Sequence, residues 1–279
     1  MRPLPLVGPL LVGIVNITAD SFSDGGRFLV PAAAIAQARR LAADGADIVE
    51  LGAAASNVAA GSVSPEEEIG RLDPVLRTLA ENGMRLAVDT YRTETQRFAL
   101  SRGVAYLNDI GGFPDPAMYP ALGAASCRLV MMHAAGGLGH AEPLDLEAGE
   151  VWRRIEAFFA ERIDRLERAG IARDRLILDP GMGLFLSRQP EASVYVLAHI
   201  GRLKKMFGLP VMVSVSRKSF LGAITGRQSP GERGPATLAA ELFAAAQGAD
   251  YIRTHDPAAL RDALTVTRAL NLVEGNTGR

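Results

Sequence analysis

Residues 31–52 read PAAAIAQARRLAADGADIVELG, and this stretch holds the unit on which the fold turns. Its first part, 31–44, places Ala, Ile and Leu at helical spacing. Gly45-Ala46-Asp47 interrupts the pattern, and glycine just past a helix suits a left-handed cap. DIVELG, residues 47–52, then forms a short apolar-dominated run without the polar alternation of a one-sided strand. Such runs suit strands buried on both faces, as in a parallel sheet. Gly-Ala-Asp returns at 248–250, again between a helix-like and a strand-like segment.

The same unit repeats outward from there. Strand-like runs are LLVGIVN (10–16), DIVELG (47–52), RLAVDT (85–90), AYLNDI (105–110), RLVMMH (128–133), RLILDP (175–180), VMVSVS (211–216) and YIRTHD (251–256). Helix-like segments cover 31–44, 65–82, 146–170, 190–207, 234–247 and 257–271. The second begins Ser64-Pro65-Glu66-Glu67-Glu68, with an N-cap serine, a first-turn proline and early acids. Eight strand–helix units over about 260 residues predict an α/β fold, a (β/α)8 TIM barrel. The alternating doubly wound sheet is the rival, but Gly13-Ile14-Val15-Asn16 lacks its glycine-rich fingerprint. No composition shift divides the chain, so residues 1–279 are read as one domain, with Gly136–Pro143 a barrel loop.

Composition narrows the function. The chain has 279 residues, 48% hydrophobic and 22% charged, as an ordinary globular protein does. A formal net charge of −1 argues against broad electrostatic binding of nucleic acid. The one cysteine, Cys127, excludes an internal disulfide, a cysteine-held metal and a CxxC redox pair. No apolar run reaches the roughly 18 residues that span a bilayer, and the apolar N-terminus is read as a leading segment plus a strand. A cytoplasmic protein is expected.

In a barrel of this kind function sits at the C-terminal strand ends. Those ends carry Asn16, Asp89, Asn108 with Asp109, His133, Asp179, Ser216 followed by Arg217-Lys218, and Arg253-Thr254-His255-Asp256. Only strand two departs, ending in Gly52-Ala53-Ala54-Ala55-Ser56-Asn57. Lys218, Arg253 and His255 fall at the seven–eight edge, the usual phosphate corner, and the amides of Ser216–Ser219 are expected to face an anion there. Asp89 and Asp179 lie across the mouth from one another, which suits separate tasks. Asp179 with Asn108 suits a flat heterocycle with donors and acceptors on one edge. The histidines do not fall at metal spacing, but magnesium needs few protein oxygens beside a phosphate, and Asn16 is placed for that. The loop 17–26 (ITADSFSDGG) has the composition of a lid.

These residues also carry a resemblance. Gly13–Gly26, Val88-Asp89-Thr90-Tyr91, Leu107-Asn108-Asp109-Ile110, Leu178-Asp179-Pro180-Gly181, Ser216-Arg217-Lys218-Ser219 and Arg253-Thr254-His255-Asp256 resemble, in order and spacing, the motifs of dihydropteroate synthases. That resemblance covers about residues 10 to 272. It implies condensation of a dihydropterin pyrophosphate with p-aminobenzoate, giving dihydropteroate and pyrophosphate for folate synthesis. It implies that Asp89, Asn108, Asp179 and Lys218 hold the pterin, with Asp89, Asp179 and Lys218 the catalytic set. Asn16, Arg253 and His255 would hold Mg2+ and pyrophosphate. Ser219, Ser56, Phe22 and the two early loops would shape the p-aminobenzoate site. A homodimer is implied as well.

The chain departs from the family pattern at Ala19, usually proline, and at Ala53–Val58, where an arginine is lost. It departs again at Met182-Gly183-Leu184-Phe185-Leu186. These departures resemble the sulfonamide-insensitive branch, and Phe185 is the first suspect for excluding the drug. Two other readings keep the barrel: a methyltetrahydrofolate-type pterin methyltransferase, and an inactive pterin-binding barrel.

Overall fold

The computed structural model describes residues 8–18, 29–54, 63–137 and 144–276. Phe22, Ser56 and most of the expected lid lie outside the described residues. The elements run β1 (Leu10–Asn16), α1 (Pro31–Ala43), β2 (Ile48–Gly52), α2 (Pro65–Ala80), β3 (Leu86–Asp89), α3 (Thr93–Ser101), β4 (Tyr106–Asp109) and α4 (Tyr119–Ala124). They continue with β5 (Arg128–Met132), α5 (Ala148–Arg168), β6 (Leu176–Asp179), α6 (Pro190–Ala198), α7 (Ile200–Phe207), β7 (Met212–Val213), α8 (Ser219–Thr225), α9 (Gly234–Ala246), β8 (Tyr251–Thr254) and α10 (Pro257–Asn276).

All eight strands are parallel, in the order β6-β5-β4-β3-β2-β1-β8-β7. A parallel bridge between Leu178 and Val211 brings the two ends of that sheet together. The result is a nearly closed (β/α)8 barrel, as the strand count predicts. Each strand alternates its faces. Leu11, Val15, Leu51, Val88, Leu107, Leu129 and Leu178 point outward into the apolar layer beneath the helices. Val12, Ile48, Ala87, Tyr106, Val130, Ile177, Met212 and Tyr251 point inward, one from each strand, and fill the lower barrel.

The repeated Gly-Ala-Asp does the same job twice. Gly45 and Gly248 both take positive φ at a helix end. Asp47 then accepts the amide of Leu11 on the next strand, and Asp250 accepts that of Val211. Each aspartate also pairs with a helix cation, Arg261 and Lys204 respectively. Ser64 caps α2 by accepting the Glu67 amide, as its motif predicts.

Three differences from the sequence expectation are informative. The helix expected over 190–207 breaks at His199. The His199 Nδ1–H donates to the Tyr195 carbonyl at 2.7 Å, the acceptor that a continuing helix offers to a backbone amide. β7 is only two residues long, because the backbone leaves the ladder after Val213. Helices α3, α4 and α8 were not read from the sequence; they have nine, six and seven residues, too few for a clear period.

Candidate active site

Strand register builds the mouth of the barrel. Asn16 pairs with Gly52, Gly52 with Asp89, and Asp89 with Asn108, so these four share one row. Strand two supplies Gly52 to this row and so contributes no side chain to it. Above this row opens a cavity of about 210 Å3. Its walls include Asn16, Asp89, Asn108, Asp179, Phe185, Lys218, Ser219, Arg253 and His255. The structure therefore brings together every residue that the resemblance assigns to the site except Ser56 and Phe22, which lie outside the described residues.

The ionic centre of the cavity depends on a residue that the strand-end reading missed. Glu50 lies in the middle of β2, faces inward, and is 1% exposed. It pairs with the Arg253 Nε and accepts from Asn108 Nδ2 at 3.1 Å. Arg253 also reaches Asp89, Nη2 to Oδ2 at 3.3 Å. One guanidinium thus joins two carboxylates. Burial and the neighbouring Glu50 both push the Asp89 carboxyl up, while Arg253 opposes them. The signal for Glu50 was present in DIVELG: an acid inside a buried apolar run is costly unless something pairs with it.

Asp179 and Lys218 form the other half. Burial pushes Asp179 up to about 6, against the Gly181 amide that donates to it at 2.8 Å and the charges of Lys218 and Arg253. Burial and the charge of Arg253 bring Lys218 down to about 8. The two shifts run toward one another, because burial penalises the charged form of each. The Lys218 ammonium stands 4.5 Å from the centre of the Phe185 ring. The turn carrying Phe185 is fixed by close backbone approach, since a Cβ at Gly181 would sit 2.3 Å from the His133 carbonyl.

The loop after β7 is held from behind. Arg217 adopts φ 59°, unusual for a residue with a Cβ. Its amide donates to Thr237 Oγ1 at 2.9 Å, and its carbonyl accepts from Arg233 Nη1 at 2.8 Å. Arg233 also donates to the carbonyls of Arg227 and Gln228. The expectation that the amides of this loop face an anion is corrected for two of them. Arg217 donates to Thr237, and Lys218 donates to the Val215 carbonyl. The loop presents side chains instead.

Two further expectations are corrected by the two-residue period of a strand. Asp109 follows inward-facing Asn108, so it points outward, where Gln96 Nε2 and the Gly111 amide donate to it at 2.7 Å. His133 likewise lies behind the mouth. Its Nδ1 contacts the Pro180 carbonyl, its ring meets Phe158 edge-on, and burial brings it down to about 4. Neither residue lines the cavity.

Buried polar atoms without partners mark what the cavity can accept. Asn108 Oδ1 and Thr18 Oγ1 are both buried and have no hydrogen-bond partner among the described residues, and both residues line the cavity. The Asn108 amide oxygen, in the same cavity wall as Asp179, offers an acceptor to a flat donor-bearing ring.

The family model described as "Pterin binding enzyme" matches residues 12–255. The chain is 57% identical over 261 residues to dihydropteroate synthase type-2 of Escherichia coli, covering 94% of this chain and 96% of that one. The chain belongs to the dihydropteroate synthases. It is thereby a member of a transferase family. Two solved dihydropteroate synthase structures from Xanthomonas albilineans agree with this fold. One, with 4-aminobenzoic acid, is 38% identical with a TM-score of 0.85, covering 95% of this chain and 93% of that one. The other, in complex with 7,8-dihydropteroate, is 36% identical with a TM-score of 0.79, covering 96% and 95%. In dihydropteroate synthase terms, the six motifs read from the sequence supply most of the cavity wall, while Glu50 and Arg233 are the supports they did not reveal.

Proposed function

We propose that this cavity condenses 6-hydroxymethyl-7,8-dihydropterin pyrophosphate with p-aminobenzoate, giving 7,8-dihydropteroate and pyrophosphate. The observation that carries this reading is one pocket that holds both kinds of group. Asp89, Asp179 and the orphaned Asn108 oxygen line it together with Lys218, Arg253 and His255. The amino-pyrimidinone edge of a pterin supplies the donors that Asp179 and Asn108 lack. The C–O bond to pyrophosphate breaks with its electron pair leaving on oxygen. The benzylic-type cation spreads over the dihydropterin ring, where Asp89 and Asp179 stabilise it. The amine of p-aminobenzoate then attacks the methylene carbon and loses a proton to solvent. No strong base is required, since the amine already carries its lone pair.

Asn16 would offer one amide oxygen to Mg2+, and the pyrophosphate oxygens would supply others. Among the described residues no group of three His, Cys, Asp or Glu side chains could hold a metal by itself. Such a donor set fits an ion that arrives with the phosphates and neutralises the leaving group. We place the enzyme in the cytoplasm, as a homodimer. No helix among the described residues is long and apolar enough to cross a membrane. Exposed Phe243 on α9, with Val266 and Leu270 on α10, offers an apolar face to a second copy.

Reduced sulfonamide sensitivity is the finer part of the proposal. Phe185 lines the cavity beside Lys218, in a segment that departs from the common family pattern. Its bulk is read as admitting p-aminobenzoate and crowding the larger drug. The decisive experiment measures pyrophosphate release with both substrates, with and without Mg2+ and a sulfonamide. Release that requires both substrates supports the reading. Its absence overturns the activity, and an inhibition constant equal to that of an ordinary synthase overturns the role of Phe185. The methyl-transfer alternative leaves Lys218, Arg253 and His255 unexplained.

A further inference from the structure

The turn that carries Phe185 is tied at both ends by buried serines. Gly183 opens it at φ 67°, and its backbone N–H donates to Ser193 Oγ at 2.8 Å. Ser193 lies on α6 and is 0% exposed. The Gly183 carbonyl accepts the amides of Leu186 at 2.9 Å and Ser187 at 3.2 Å, and the Phe185 carbonyl accepts that of Ala135 at 2.8 Å. Ser187 closes the turn. Its Oγ accepts from the amides of Leu146 at 3.0 Å and Gln189 at 3.1 Å. Its one proton faces the carbonyls of Leu146 at 2.9 Å and Leu144 at 3.1 Å. Both hydroxyls thus bind backbone, and neither serine lines the cavity.

The same turn packs closely on Lys218. A Cβ at Gly183 would lie 3.5 Å from Lys218 Cδ and 3.7 Å from Ser219 Oγ. Two residues further on, the Phe185 ring meets the Lys218 ammonium. Leu186, next to Phe185, is fully buried in the core. With its ends tied and Leu186 anchored, the backbone of the turn determines where the ring stands.

We propose that Ser193 and Ser187 are positioning residues that hold the Phe185 ring against Lys218 and so set the width of the p-aminobenzoate end of the cavity. The consequence for ligand choice rests on the function proposed above and on the place of Phe185 in it. Removing the Ser193 hydroxyl leaves a buried Gly183 amide without its acceptor, and that amide regains a partner only if the turn shifts or water enters. Either event frees the ring. A freed ring admits a larger arylamine more readily than it alters the pterin end, which the turn does not touch.

Fluorine spectra test the positioning without substrate. The chain has ten phenylalanines, and in protein labelled with 4-fluorophenylalanine the resonance absent from Phe185→Leu belongs to Phe185. Ser193→Ala should shift and broaden that resonance. Ser187→Ala, which releases the other end of the turn, should move it in the same sense and keeps the test open if Ser193→Ala does not fold. A Phe185 resonance unmoved by a folded variant overturns the proposal.

Kinetics test the consequence. In Ser193→Ala the ratio of the sulfonamide inhibition constant to the KM for p-aminobenzoate should fall about tenfold, the scale of one buried hydrogen bond. The kcat and the KM for the pterin pyrophosphate should stay within about twofold. A merely structural serine would lower the amount of folded enzyme and leave that ratio unchanged. In a Phe185→Leu background Ser193→Ala should have no further effect on the ratio, because the two residues act as one unit. An equal fall with and without Phe185 overturns the coupling, and an unchanged ratio in Ser193→Ala overturns the role in ligand choice. Failure of the synthase reading appears elsewhere, as a lack of dihydropteroate from the unaltered enzyme. Failure of the drug-excluding role of Phe185 appears as an unchanged ratio in Phe185→Leu alone. In both cases the fluorine spectra still read the serines directly.

Discussion

Two adjacent layers inside the barrel are built by the same strands and behave in opposite ways. The lower layer is Val12, Ile48, Ala87, Tyr106, Val130, Ile177, Met212 and Tyr251. Two residues further along six of those strands stand Glu50, Asp89, Asn108, Asp179, Ser214 and Arg253. A step of two residues keeps a side chain on the same face and raises it by about 6.6 Å. The apolar layer closes the barrel beneath the site and excludes water from below. Its dryness is what shifts Asp179 up to about 6 and Lys218 down to about 8 in the layer above. Stability and reactivity are thus separated along the barrel axis, not assigned to different elements.

Substitutions on either side of that boundary should separate the two roles. The largest effect is expected at Asp179→Ala, which should lower kcat/KM by roughly a thousandfold or more while the melting temperature stays close to the parent. Near-normal turnover in a pyrophosphate-release assay would remove Asp179 from the site. Glu50→Ala comes next, because it leaves Arg253 without its buried partner. Urea unfolding should show a loss of about 3 kcal/mol together with lost activity. A purely catalytic defect at unchanged stability would show that the pair contributes little to the fold.

A buried acid outside both layers gives a third, gentler comparison. Glu241 on α9 is buried, its Oε1 has no partner among the described residues, and burial pushes it up to about 8. Between its ordinary 4.5 and about 8 the native state therefore holds a proton that the unfolded state has lost. That contribution to stability is fully present below 4.5 and is lost as pH rises toward 8. Glu241→Gln should flatten that slope in unfolding measured from pH 5 to 8, and an unaltered slope would assign the pH dependence to other groups. The smallest effect is expected in the lower layer. Ile48→Val should cost about 1 kcal/mol in urea unfolding and leave kcat/KM within about twofold. A large loss of turnover would mean that the two layers are coupled.

The six ordered motifs put Asn16, Asp89, Asn108, Asp179, Lys218, Arg253 and His255 into the reading before any coordinates, because parallel strands end where a barrel opens. The differences have separate causes. Asp109 and His133 have the right residue type at the right strand end, but the strand period turns them outward. Glu50 was passed over because it sits mid-strand, where its partners Arg253 and Asn108 come from 203 and 58 residues away. Arg233 was passed over because its three acceptors are backbone carbonyls, which carry no residue signature.

The amino-acid order by itself determined the eightfold alternation, the parallel sheet and the chemistry available at the strand ends, since these follow from local periodicity and composition. Tertiary structure alone decided which of those groups meet. The register that aligns Asn16, Gly52, Asp89 and Asn108, the bridge of Arg253 between Glu50 and Asp89, and the seating of Ser216 against His255 all depend on contacts between distant strands. Their physical origin is barrel closure, which brings β8 beside β1 and turns a list of polar residues into one dry, charged cavity.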